Sequence, residues 1–428
     1  METSEASIDR EVGRLLEVHP AIGVPTPAYG GRSLPNVASS AVRALGREPS
    51  PAIPLLPPLA DDLDPLEGRR AEGPVVVLLV DGLGFEPLRR GSADDGVPHA
   101  WRARLRPITS VFPTTTTVAL TSLSSAEPPG RHGVVGHRMY LPAFGTVAEI
   151  LRMSPLGVPA ADALAGPEWS PASVSGVPTI FRRGIEGTVL SRDKFAGSAF
   201  TRMLYDGADY VGYSTAADFA HRLAELLRRP APPALIFAYW DELDTVQHLR
   251  GPRPEFTAFE AAQVAHILAA ARRGLDAGRA RRTTVLLTSD HGQVPTDRAH
   301  EIAIDAMPEV ATLLARPPTG DRRAGFFSAR RGEVERLHAA LSERLPPGHR
   351  ILPVRSAVDA GLFGPPPFHP ELVERLGDFV VLVPSPASIT YRIPGASVRA
   401  HASLGVHGGI EPAEFVVPLV TGRLTDLA

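Results

Sequence analysis

Short runs of consecutive apolar residues recur along the chain: Pro74 to Val80 (PVVVLLV), Ala234 to Tyr239 (ALIFAY), Thr283 to Thr288 (TTVLLT), Phe379 to Val383 (FVVLV) and Phe415 to Leu419 (FVVPL). A run without polar alternation turns neither face to water, which fits a strand buried on both sides of a parallel sheet. Between them, Ala217 to Arg229 and Thr257 to Leu275 carry apolar residues at helical spacing. Alternation of the two patterns predicts an α/β layered domain. The proline-dense stretch Pro49 to Pro65 suits neither a central strand nor an uninterrupted helix. Residues 1–70 are therefore expected to be an N-terminal extension with a proline-rich lead-in, and 71–428 the main domain. No internal repeat is seen.

With 428 residues, 43% of them hydrophobic, the chain can bury a large core unaided. Its net charge of -3 gives no global field that would draw in a nucleic-acid duplex or an anionic membrane, so any anionic partner is bound locally. Lys194 is the single lysine among 44 basic residues, an arginine bias that points to base composition rather than to a basic patch. There is no cysteine, which excludes disulfides, thiolate nucleophiles and thiolate metal sites. Metal ligands must then be Asp, Glu or His. The N-terminus has early acids and no apolar stretch of signal-peptide length, and no run reaches the roughly 18 residues of a membrane span, so a cytoplasmic protein is expected.

In open α/β sheets ligands bind beyond the carboxyl ends of the strands, which directs attention to the polar residues after each run. Asp81-Gly82 follows the first run, where it also suits an ordinary turn. Asp290-His291-Gly292 follows the third and sets two metal-capable side chains side by side. After the second run, Asp244 and His248 are four apart; on a helix they share a face and hold either one ion together or merely a solvated pair. His401 and His407 precede the last run. Phe112 to Ser122 carries four successive threonines, Thr114 to Thr117, behind a proline, so one of them suits a helix N-cap. A hydroxyl there also stands where free backbone N–H groups and the helix dipole stabilise a phosphate. Taken together, Asp81, Asp290 and His291, with Asp244, His248 and His407, supply two three-ligand sets from strand ends on one rim. Such a rim can hold two divalent ions, which clamp the attacking and leaving oxygens of an in-line phosphoryl displacement. Asp and His ligands suit zinc, and also manganese or iron.

The arrangement resembles the alkaline phosphatase superfamily, and within it the nucleotide pyrophosphatase/phosphodiesterase branch. The resemblance spans Val75 to Leu419 and rests on VDG at 80–82, the FPTTTT region, HG at 132–133, D-x-x-x-H at 244–248, SDHG at 289–292 and HGG at 407–409. It implies a three-layer α/β/α sandwich with a mostly parallel central sheet, and an inserted cap within 139–175 and 295–400. His132-Gly133 sets the register: Ser125-Ala126 stands where the family has Thr-Gly, the nucleophile falls on Thr116, and Thr115 is the next choice. By the same transfer Asp81, Asp290, His291 and the Thr116 oxygen hold one metal, and Asp244, His248 and His407 the other.

Gln247 replaces a usual glycine, and His137 occupies the position of an asparagine that contacts a phosphoryl oxygen, which leaves the substrate class open between a diester and a more anionic monoester. The resemblance implies a two-metal phosphoesterase with a phosphothreonine intermediate, acting on a small phosphoester such as a nucleotide. Phosphomonoester or phosphonate hydrolysis on the same fold is the alternative, and a binding protein that has lost the chemistry is the reading from another class. Arg192, Arg202 and Arg250 are candidate contacts to phosphate or leaving group.

Overall fold

Val75–Val80 (β1), Leu105–Thr109 (β2), Gly187–Arg192 (β3), Asp209–Tyr213 (β4), Leu235–Trp240 (β5), Thr284–Thr288 (β6) and Val416–Arg423 (β7) form a seven-stranded sheet. The computed structural model describes residues 5–46, 55–91, 96–229, 234–393 and 403–428. Strand order is β2-β7-β6-β1-β5-β3-β4. Every pairing is parallel except those of β7, which runs antiparallel to both β6 and β2.

Side chains alternate between the faces of a strand, and the two cores follow that alternation. Val75, Val77 and Leu79 pack with helices Leu34–Ala44 (α1) and Thr116–Ser125 (α2). Val76, Leu78 and Val80 pack on the other face with helices Ala216–Arg228 (α3) and Pro254–Arg273 (α5). The short helix Glu242–Arg250 (α4) follows β5 at the carboxyl edge. Helices thus cover both faces of a mostly parallel sheet. Through α1, the segment before residue 70 contributes Leu34, Val37 and Val42 to the first core.

The run at Phe379 to Val383 lies outside this sheet. Its strand, Phe379–Leu382, belongs to a second, antiparallel sheet of seven strands built from residues 138–155 and 319–382. Phe326, Val380 and Leu382 extend the first core, whereas Phe327, Phe379 and Val381 pack on Leu337 and Leu341 of the helix Val334–Arg344. A strand buried on both faces reads the same in either kind of sheet, so the apolar run alone could not assign it. Strands β2, β3 and β4 escaped the run pattern because they lie toward the sheet edges and carry polar or part-exposed positions. Among the described residues, no helix is long and apolar enough to cross a membrane.

Helix α2 ends on Ala126, whose φ is +56° and whose side chain is wholly buried. A left-handed conformation costs a residue with a Cβ about 1 kcal/mol relative to glycine. Ala126→Gly should therefore raise stability by up to about 1 kcal/mol, measured as a higher urea midpoint with unchanged slope.

Candidate active site

The polar residues at the carboxyl ends of the strands converge. Asp81 follows β1 directly, Asp290 and His291 follow β6, and α4 carries Asp244 and His248 one turn apart beyond β5. Helix α2 begins at Thr116 with Thr115 as its N-cap. His407 follows the short strand Gly405–Val406, which pairs with Val294–Pro295 and leads toward β7.

His291 stands at the centre. Its Nε2 lies 3.6 Å from Asp81 Oδ1, 3.4 Å from Asp290 Oδ2 and 3.2 Å from Thr116 Oγ1. The His407 ring stacks on it at 3.7 Å between centroids, and lies 5.2 Å from the His248 ring. His248 Nε2 is 3.3 Å from Asp244 Oδ1. Among the described residues, two groups have ligand atoms all within 4.8 Å of one another: Asp81, Asp290 and His291, and Asp244, His291 and His407. His291 is thus common to both tight groups, and His248 joins the second through Asp244.

Three histidines are oriented alike. Nδ1 of His248 meets the Gly405 carbonyl at 2.8 Å, that of His291 the Gly292 carbonyl at 3.1 Å, and that of His407 the Thr114 carbonyl at 2.9 Å. A carbonyl only accepts, so each Nδ1 donates; in His291 and His407 Nε2 keeps its lone pair for a ligand, whereas in His248 burial is outweighed by the hydrogen bond and charge of Asp244, which raise the pKa and turn Nε2 to that carboxylate. Burial lowers the pKa of His291 to about 4 and of His407 to about 3, the latter with help from His291, so both rings are neutral at neutral pH.

The carboxylates show the complementary feature. Asp81 Oδ2 accepts from the Tyr239 hydroxyl, and Asp290 Oδ1 accepts from the N–H groups of Gly82 and His291. Asp81 Oδ1 and Asp290 Oδ2 are buried with no hydrogen-bond partner. Burial and the charges of Asp290 and Asp244 push Asp81 well above the usual carboxylate range; burial and Asp244 push Asp290 up to about 6. Burial would raise Asp244 too, but the hydrogen bond and charge of His248 outweigh it and hold it low. Clustered buried carboxylates with unfilled oxygens call for a cation, and neutral imidazoles with free Nε2 atoms complete its donor set. These residues fit divalent metal.

The loop carrying His407 is fixed from below. Glu414, fully buried, accepts from the Gly409 N–H at 3.0 Å and pairs with Arg323 at 3.2 Å; Arg323 is 1% exposed and also meets Glu411 at 2.6 Å. Thr114 Oγ1 accepts from the Gly408 N–H and donates to the Gly409 carbonyl. Arg323→Met strands Glu414 as a buried charge, which should cost about 3–5 kcal/mol in thermal unfolding of the metal-free protein.

A cavity of about 770 Å³ opens over this cluster, lined by Thr115, Thr116, Asp244, His248 and His407 together with the second sheet. His137 is half-buried in its wall. None of Arg192, Arg202 and Arg250 lines it. Arg192 is held instead by Asp241 and Glu242, both at 2.7 Å, and Arg202 lies over the Trp169 ring. His132 is a packing residue, wholly buried with Nε2 2.8 Å from Ser122 Oγ. His401 lies outside the described residues.

Other residues reach the site without having been singled out in the sequence. Gln293 Nε2 donates to Asp244 Oδ1 at 2.6 Å, and its closeness to Asp290-His291 was the one available signal. Tyr239, the donor to Asp81, is the penultimate residue of β5 and reads as core. Asp321, 3.9 Å from His407, comes from a hairpin of the second sheet and had no signal at all.

A family model described as type I phosphodiesterase / nucleotide pyrophosphatase matches residues 75–409. A sequence search of curated proteins finds no match. Among solved structures, the chain is similar to murine ectonucleotide pyrophosphatase / phosphodiesterase 5, with a TM-score of 0.61 at 16% identity over 81% of this chain and 87% of that one. The same murine protein is also known as an inactive threonine-to-alanine variant in complex with AMP, which aligns with a TM-score of 0.61 at 15% identity over the same shares of the two chains. Phosphonoacetate hydrolase from Sinorhizobium meliloti 1021, in complex with phosphonoformate, aligns with a TM-score of 0.58 at 19% identity over 84% and 92% of the two chains. These likenesses show the fold. The family match, which runs from β1 through the His407 loop, shows more: the chain belongs to the type I phosphodiesterase / nucleotide pyrophosphatase family.

Proposed function

We propose that the protein is a two-metal phosphodiesterase or nucleotide pyrophosphatase in which Thr116 is the nucleophile. Hydrolysis of phosphoester bonds accords with its family. The observation that carries the finer reading is the meeting of Thr116 Oγ1, at 3.2 Å, with His291 inside a set of buried carboxylates beneath the cavity. The murine relative, inactive as a threonine-to-alanine variant and in complex with AMP in that form, supports both a threonine nucleophile and a nucleotide-type substrate.

Asp81, Asp290 and His291 would hold one divalent ion beside Thr116, and Asp244, His248 and His407 the second, with zinc the ion that best suits Asp and His donors. Such ions, when bound, lower the pKa of a neighbouring hydroxyl and neutralise phosphoryl charge. Thr116 Oγ gives up its proton and forms a bond to phosphorus in line with the leaving oxygen. The bond to that oxygen breaks, it takes up a proton in turn, and a phosphothreonine remains. Water then attacks the same phosphorus and frees Thr116. The first N–H groups of α2 have no partner within the helix and point at the non-bridging oxygens. Residues 138–155 and 319–382, the second sheet, act as the cap that closes the cavity above the metals.

Burial lowers the pKa of His137, although Asp321 opposes the shift. A neutral ring donates one hydrogen bond and adds no charge, which favours a singly charged diester over a dianionic monoester. The test compares bis(p-nitrophenyl) phosphate with p-nitrophenyl phosphate on zinc-loaded protein. At least about tenfold higher kcat/KM on the diester is expected, of the size of one charge-assisted hydrogen bond. A preference for the monoester would assign the protein to phosphomonoester hydrolysis, and turnover of neither would leave phosphonates or a binding role.

A further inference from the structure

The cavity wall opposite the metal ligands is built from arginine. Arg138, Arg298, Arg322 and Arg392 all line it. Arg138 pairs across the second sheet with Gly320, two residues before Arg322, so both guanidinium groups arise from one corner of that sheet. Neither is satisfied there by protein charge. Arg322 Nε is buried without a hydrogen-bond partner, and its Nη2 reaches only the Ser388 hydroxyl at 3.2 Å. Arg138 Nη1 donates to the Tyr391 carbonyl at 3.3 Å.

Among the described residues neither Arg138 nor Arg322 forms an ion pair with the acids beside it, although Glu301 and Asp321 act on Arg322 through charge. Glu301 takes Arg392 at 3.0 Å and the Thr390 hydroxyl at 2.8 Å. Asp321 Oδ1 takes the Arg322 backbone N–H at 2.7 Å, while its Oδ2, 3.9 Å from His407, is buried without a hydrogen-bond partner. Burial lowers the Arg322 pKa, Glu301 and Asp321 oppose that, and Arg138 adds to it, as expected of a buried cation whose compensation is incomplete. A guanidinium fork with an unfilled buried donor beside a second guanidinium is the arrangement that carboxylate or phosphate oxygens satisfy in bidentate fashion.

We propose that Arg138 and Arg322 form a second anion subsite, which takes a carboxylate or phosphate group carried by the substrate beyond its reacting phosphorus. This rests on the phosphoesterase reading of the same cavity. It narrows the substrate class to phosphoesters, phosphoanhydrides or phosphonates with a second oxyanion.

Calorimetric binding to zinc-loaded Thr116→Ala protein tests it with two matched pairs: phosphonoacetate against methylphosphonate for a carboxylate, and ADP against AMP for a phosphate. The member with the second anion should bind about tenfold more tightly or better in at least one pair, the gain of one or two charge-assisted hydrogen bonds, and the responding pair identifies the anion. Arg138→Met and Arg322→Met, each made in the same background, should reduce that ratio to below about threefold, which separates these contacts from metal chelation by the ligands. If one variant fails to fold, the other decides. The subsite is overturned if neither pair shows a preference, or if the folded variants keep the ratio of the parent. Because binding is read without turnover, a ratio that persists while the unsubstituted protein fails to hydrolyse any phosphoester would refute the enzymatic reading and leave the subsite standing.

Discussion

Thr116→Ala should lower kcat on bis(p-nitrophenyl) phosphate by at least about a thousandfold if Thr116 is the nucleophile we propose, because only binding and electrostatic stabilisation then remain. Thr116 opens α2 at the cavity floor, so losing its hydroxyl leaves the fold intact and the melting temperature within about 1 °C of the parent. Thr115→Ala is the contrast. Thr115, 1% exposed, precedes the same helix without a side-chain capping bond; its hydroxyl hydrogen-bonds Asp321 instead, so its loss should cost about 1 kcal/mol of stability while kcat stays within about tenfold. Steady-state kinetics on both variants decides the register: a dead Thr115→Ala beside an active Thr116→Ala would move the nucleophile by one residue.

The second large effect concerns Asp290. Its pKa of about 6 in the folded, metal-free chain lies above the roughly 3.9 of an unfolded aspartate, so between those values the folded state binds more protons. Stability contributed by this group is therefore complete at low pH and declines as pH rises from about 4 through 6, and the penalty persists above that. A shift of roughly two units corresponds to about 3 kcal/mol. Asp290→Asn removes the charge, so the metal-free variant should exceed the metal-free parent at pH 8 by an amount of that order, about 3 °C in Tm for a chain of this length, and match it near pH 4. Zinc should narrow the gap at pH 8. The parent gains about 2.7 kcal/mol at a free metal concentration of 100 times Kd, whereas the variant, short of one anionic ligand, gains less. Thermal unfolding at both pH values with and without zinc measures all four states, and equal stabilisation of variant and parent by zinc would show that Asp290 is no ligand.

These two residues also show how much the sequence disclosed. Asp81, Asp244 and Asp290 stand out because each comes after a run that fits a buried strand, and strand ends in an α/β sheet are where ligands gather. Thr116 and His407 are less visible alone, since a threonine after a proline caps helices and a loop histidine is usually inert; they gained meaning from the order of motifs around them. Arg192, Arg202 and Arg250, the candidate contacts from the sequence, do not line the cavity: Arg192 is held by Asp241 and Glu242, and Arg202 lies over the Trp169 ring.

What the sequence determined by itself is the chemistry available: no thiol, a set of Asp and His residues at strand ends, a hydroxyl at a helix start, and the alternation of buried strands with amphipathic helices. These come from local rules, because the burial of a run, the start of a helix and the identity of the residues just past a strand are fixed within a few positions of chain. The tertiary structure alone decided that His291 stands between both ligand groups, that Phe379–Leu382 joins a second sheet, and that Asp321, Arg138 and Arg322 face the site. Those outcomes depend on contacts between segments well apart in the chain, such as Gly320 pairing with Arg138, and no local pattern records which distant strand a hairpin will meet.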